Sequence, residues 1–236
     1  MLASHHAGNF VLKGGFLLPA FTERRPTRDI DLSAQAISND ATHIESVINE
    51  ILETPVDDGI TFETEKTRSE TIRQEDAYAG VRVTTTGTPA TAKLAFHVDL
   101  NIGDPIWPTP NVVSLPRVLG GAPIRIVGYP VEMVMAEKFV TAIQRGTANT
   151  RWRDFVDLGR LAQTPYDRTV LAEAVRRVAV HRGVTIAPLH EVLAGYPEIA
   201  QQRWTAWRRK QHLEATSPES FSDLLAPIFQ LAQDIR

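Results

Sequence analysis

Apolar residues recur along this chain with two different periods, and the period changes near residue 130. Before it, short runs alternate apolar and polar positions, as half-buried strands do. After it, apolar positions return every three or four residues, as on helices. Val11 and Leu12 read as a strand, Gly14-Gly15 as a sharp turn, and Phe16, Leu17 and Leu18 as a short helix. The segment Arg28-Asp29-Ile30-Asp31-Leu32 predicts a strand with Ile30 and Leu32 toward the core. Side chains two apart on a strand share a face, so Asp29 and Asp31 point the same way. Asn39-Asp40 caps a predicted helix over 41–52, with Ile44, Val47, Ile48 and Ile51 as its apolar stripe.

Further strands are predicted over 60–67, 78–86 and 92–104. In the last, Leu94, Phe96, Val98 and Leu100 share one face, and Lys93, Ala95, His97, Asp99 and Asn101 the other. The stretch 68–76 is polar and gives no clear element, while 107–128 is rich in proline and glycine with one strand at 124–127. Helices are expected over 131–145, where Gly146 stops the pattern, and over 152–162, 167–180, 198–213 and 218–235. The division expected is an α/β core over 1–129 and a helical domain over 130–236.

Chemistry concentrates between residues 10 and 32. A glycine pair lets the backbone approach a ligand without Cβ interference. Amides at the start of a following helix then offer a site for an anion. Two carboxylates held on one strand face repel each other unless a cation lies between them. Mg²⁺ takes carboxylate oxygens together with substrate phosphates. Lys13-Gly14-Gly15 therefore reads as a phosphate cradle, and Asp29 and Asp31 as metal ligands. Asp99, on the polar face of a later strand, is a candidate third carboxylate; the plainer alternative is a solvent-facing residue near a strand end. Asp57-Asp58 and Asp104 are explained by turns, and His5-His6 as solvated residues near a terminus.

Composition narrows the setting only slightly. Hydrophobic residues make up 43% of the chain and charged residues 22%, as in ordinary globular domains. The absence of cysteine excludes disulfides and thiolate metal sites. No signal-peptide pattern and no apolar stretch near the ~20 residues of a membrane span is present, so a cytoplasmic location and no membrane partner are expected. A net charge of −3 argues against bulk coating of nucleic acid, yet Arg24, Arg25 and Arg28 flank the proposed cradle. Arg176, Arg177, Arg203, Arg208, Arg209 and Lys210 form a second basic set, readable equally as solvated helix faces.

Lys13-Gly14-Gly15 followed by Arg25, Thr27, Asp29 and Asp31 resembles the nucleotidyltransferase toxins of the AbiEii/AbiGii type, which include the MenT toxins. A second stretch carries the same resemblance: Ala136-Glu137-Lys138 and then Arg153-Asp154-Phe155-Val156-Asp157-Leu158. Together the motifs span about 10–158, and the last third of the chain has none. The resemblance implies a nucleotidyltransferase fold of the DNA polymerase beta-like kind, with a mixed sheet and a helical C-terminal domain closing a cleft. It also implies a longer N-terminal helical segment than the nine residues that precede Phe10 here.

By the same resemblance, Lys13, Gly14, Gly15, Arg25, Thr27 and Arg28 bind an NTP, and Asp29, Asp31 and Asp99 bind Mg²⁺. Lys138 contacts the nucleotide phosphates and Asp154 completes the essential set, with Asp157 structural. An interhelical salt bridge between Lys138 and Asp154 is the plainer reading of that pair. The implied reaction transfers NMP from NTP to an acceptor hydroxyl, most simply the tRNA 3′ end, under control of a cognate antitoxin. Transfer to a small molecule or protein, or a degenerate nucleotide-binding module, are the alternatives.

Overall fold

Residues 1–27, 29–73 and 79–235 are described by the computed structural model, so the predicted contributions of Arg28 and Tyr78 lie outside the described residues. The chain divides into two compact units, Met1–Asp104 with Pro110–Tyr129, and Pro105–Thr109 with Pro130–Arg236.

The first unit begins with a 3₁₀ turn and strand β1 (Phe10–Lys13), which leads directly into the one-turn helix α1 (Gly14–Leu17). Strand β2 (Asp29–Ala34) is followed by helix α2 (Ala41–Glu53). Asp40 caps α2 by accepting a hydrogen bond from the His43 amide, and the predicted stripe of four apolar residues is buried. Then come β3 (Ile60–Phe62), β4 (Arg68–Arg73), β5 (Ala79–Pro89), β6 (Leu94–Ile102), β7 (Asn111–Leu115) and β8 (Ile124–Gly128). Among the described residues they form one sheet in the order β3-β5-β6-β2-β1-β8-β7, with β4 paired to β5. It is a mixed sheet, as expected: β2 runs parallel to β6 and β1 parallel to β8, while the other pairs are antiparallel.

The sheet holds two surprises. The predicted strand over 60–67 stops at Phe62, and the chain passes through a 3₁₀ turn into β4, where no element was expected. Among the described residues β4 pairs only with β5, and its residues 68 and 70–71 are exposed, so burial imposes no apolar alternation on it. β7 does alternate, burying Val113 and Leu115, but only over five residues inside a proline-rich stretch.

The second unit is helical. Its long helices are α3 (Val131–Arg145), α4 (Trp152–Leu161) and α5 (Arg168–Arg182). The short α6 (Leu189–Val192) was not expected, and α7 (Tyr196–Lys210) and α8 (Phe221–Ala232) complete the unit. Trp152 and Phe155 of α4 pack edge-on against Phe221 of α8, which also meets Tyr196 and Trp204 of α7. This aromatic cluster is the core of the last third, where the sequence offers no motif. Among the described residues no helix is long and apolar enough to cross a membrane.

Candidate active site

The registers of β1, β2, β6 and β5 bring four charged side chains into one row across adjacent strands. Lys13 pairs with Asp31, Asp31 with Asp99, and Asp99 with Arg82. Asp29 stands two residues before Asp31 on β2, opposite His97. Because partners in register point to the same face of a sheet, the row sets two adjacent carboxylates between a lysine and an arginine. Asp31 and Asp99 thus face each other in register, with Asp29 two residues away on β2.

The glycine turn serves this row directly. Gly14 adopts a positive φ of 64°, and a Cβ there would lie 2.7 Å from the Cβ of Asp31 and closer still to its carboxylate. Only glycine leaves room for that side chain. The Gly15 amide donates to the Asp31 carboxylate, and the Arg25 guanidinium lies against Gly15. The Thr27 hydroxyl donates to the Asp29 carbonyl at 3.3 Å. The cradle amide of Gly15 is thus engaged by the metal-ligand candidate itself.

Burial raises the Asp31 carboxyl to about 6; Lys13 opposes the rise, while Asp99 and Asp29 add to it. Lys13 is itself buried, donates to Asp104 at 2.7 Å, and sits 5.6 Å from the centroid of the Tyr129 ring. Asp104 is therefore more than a turn residue: it is an ion-pair partner 91 positions away, a link with no local signal. Arg82 grips Asp99 with two hydrogen bonds of 2.7 Å, from Nε to Oδ1 and from Nη2 to Oδ2. A faint sign of Arg82 exists in the sequence, as a charged residue between Val81 and Val83 in a predicted strand.

These donors suit a hard divalent ion. They are carboxylate oxygens, and the half-buried Asp31 carries negative charge that a cation would relieve. They are not gathered around one point, however. Among the described residues, the one group of three whose ligand atoms all lie within 4.8 Å of one another is His5, His6 and Glu50. There His6 Nε2 lies 2.9 Å from Glu50 Oε2 and is engaged by it, whereas His5, 3.5 Å away, is exposed as expected.

In the helical unit, Lys138 of α3 contacts both Asp154 at 2.8 Å and Asp157 at 2.9 Å on α4. Burial alone would lower the Lys138 pKa, but the two carboxylates outweigh it and leave it raised. Burial works against Asp154 in the same way, yet Lys138 and Arg151 hold it at about 2. Asp157 is only 1% exposed, so it belongs to this cluster as fully as Asp154 does. Of the basic residues near the C-terminus, Arg208 is bound to the Glu214 and Ser217 carbonyls, and Arg176 and Arg177 are paired with Glu173. Arg203, Arg209 and Lys210 are exposed on α7.

Comparison with known proteins gives this geometry its family. The family model described as nucleotidyl transferase AbiEii toxin, type IV toxin–antitoxin system, matches residues 1–227. No curated protein matches the sequence. Among solved structures, MenT4, a nucleotidyltransferase toxin from Mycobacterium tuberculosis, aligns at 14% identity over 96% of this chain and 75% of its own, with a TM-score of 0.55. JHP933 from Helicobacter pylori aligns at 15% identity over 99% of this chain and 85% of its own, with a TM-score of 0.51. A putative nucleotidyltransferase from H. pylori aligns at 14% identity, covering 99% and 88%, with a TM-score of 0.52. At such identities the likeness is one of fold. The family match extends over nearly the whole sequence, and the chain belongs to the AbiEii nucleotidyltransferase toxins of type IV toxin–antitoxin systems.

Proposed function

We propose that this nucleotidyltransferase uses Mg²⁺ to transfer NMP from an NTP to the 3′ end of tRNA, blocking aminoacylation. Family membership supplies the reaction class, the NTP substrate and an antitoxin partner. The observation that carries the site assignment is the register pairing of Asp31 with Asp99, beside Asp29 on the same strand. The tRNA acceptor rests on the resemblance to the MenT toxins, and exposed Arg203, Arg209 and Lys210 are compatible with it.

In this reading Asp29 and Asp31 would hold the divalent ion, with Asp99 sharing it near the attacking hydroxyl. The bound ion supplies Lewis-acid stabilisation of the attacking and leaving oxygens. The acceptor oxygen forms a bond to the α-phosphorus, the α–β phosphoanhydride bond breaks, and pyrophosphate departs. Asp99 accepts the hydroxyl proton. Lys13, Arg25 and Arg28 offset triphosphate charge, the first by exchanging part of its contact with Asp104 for phosphate. Gly14 and Gly15 keep the Asp31 carboxylate placed, and Thr27 fixes the start of β2. Lys138 and Asp154 complete the set on family resemblance; Lys138 contacts phosphate only by giving up one of its aspartates.

The test is incubation with Mg²⁺, total tRNA and each α-³²P-labelled NTP in turn. Intact tRNA should become labelled by one or more NTPs, whereas tRNA whose 3′-terminal ribose has been oxidised with periodate should not. Label on a protein or small molecule, with none on tRNA, would contradict the acceptor assignment while leaving the chemistry in place.

A further inference from the structure

The third carboxylate of the proposed site is already occupied by a protein cation. Both oxygens of Asp99 accept from Arg82, and the carboxylate is only 10% exposed. In this fork geometry an arginine satisfies a carboxylate more completely than a lysine could. While the fork is closed, Asp99 cannot turn freely to share an ion with its register partner Asp31. The spacing agrees: Asp29, Asp31 and Asp99 do not converge as a ligand group among the described residues. Arg82 is about one-third exposed, at 32%, and its other cross-strand neighbour is Glu70. Its guanidinium is therefore open to an incoming anion while its present partner is nearly sealed.

We propose that Arg82 is a positioning residue that couples nucleotide binding to metal binding. It holds Asp99 in a closed pair until a substrate phosphate takes over the guanidinium, and Asp99 is then released to the ion. This rests on the assignment of Asp29, Asp31 and Asp99 to the ion-binding site. Phosphate suits the exchange because the same planar donor fork that fits a carboxylate fits a phosphate. Coupling of this kind is reciprocal, so the closed pair weakens metal binding when no nucleotide is present. A purely structural Arg82 would act in the opposite direction, since its loss would leave a nearly buried carboxylate misplaced.

The experiment measures Mn²⁺ affinity of the full chain by titration calorimetry, without nucleotide, for wild type, Arg82→Met, Arg82→Lys and Asp29→Ala/Asp31→Ala. Arg82→Met should bind Mn²⁺ roughly five- to tenfold more tightly than wild type, the usual size of a site-to-site coupling, with Arg82→Lys between them. Metal-free tripolyphosphate should bind Arg82→Met more weakly by a similar factor. Unchanged or weaker Mn²⁺ binding by Arg82→Met would overturn the proposal. Arg82→Gln, checked by thermal melting, takes its place if the methionine variant does not fold. If Asp29→Ala/Asp31→Ala binds Mn²⁺ like wild type, the ion-site assignment itself fails, an outcome separable from failure of the Arg82 coupling.

Discussion

Asp31 is the residue at which fold and chemistry oppose each other. Its folded pKa of about 6 stands above the ordinary 3.8 because burial, then Asp99 and Asp29, disfavour the charged form that a metal ligand needs. The sign follows directly. Without a divalent ion, the stability linked to Asp31 is present below pH 3.8 and lost as pH rises through about 6. That difference corresponds to about 3 kcal/mol. Urea denaturation of wild type and Asp31→Asn in ion-free buffer, from pH 4 to pH 7, should therefore show the asparagine variant gaining relative stability as pH increases. A constant difference across that range would mean the carboxylate is not held in this state. The residues carrying the conflict were readable from the sequence, since strand alternation alone puts Asp29 and Asp31 on one face. The residues that moderate it were less so. Arg82 and Asp104 act through register and a loop approach, neither of which a local pattern contains.

At the scale of elements, α3 and α4 are joined by a buried cation between two carboxylates. Lys138 and Asp154 were legible as a pair because the family resemblance singles out both stretches, and Asp157 enters because one helical turn brings it to the same face as Asp154. Removing the lysine takes the cation away from buried Asp157 and from Asp154, which keeps only Arg151 of its two cationic contacts. Lys138→Met should lower stability by about 3–5 kcal/mol, the range found when one partner of a buried ion pair is lost. Urea denaturation measures this directly, and a loss under 1 kcal/mol would show that the cluster is not a structural tie. If Lys138 also contacts phosphate, its variants will mix stability and activity effects, so the fold must be measured beside the rate. The elements missed by periodicity share one cause: β4 is a largely exposed strand with a single partner among the described residues, and β7 and α6 are only five and four residues long. Short or lightly buried segments leave too few constrained positions to show a period.

For the whole molecule, most of the architecture was readable because its two halves have different periods, and the two motif stretches point to the same family. The final third was not readable in functional terms: its residues Tyr196, Trp204 and Phe221 serve an aromatic core. In the proposed function, what joins fold to activity is the charged row of the sheet, with Asp31 and Asp99 facing each other across parallel strands. The most direct measurement is pyrophosphate release with NTP, Mg²⁺ and tRNA by wild type, Asp31→Asn and Asp99→Asn, each confirmed folded by circular dichroism. Both variants should lose at least about a hundredfold in rate, as expected when a transition-state contact worth about 3 kcal/mol is removed. Turnover by either folded variant at the wild-type rate would contradict the assignment of this row to catalysis.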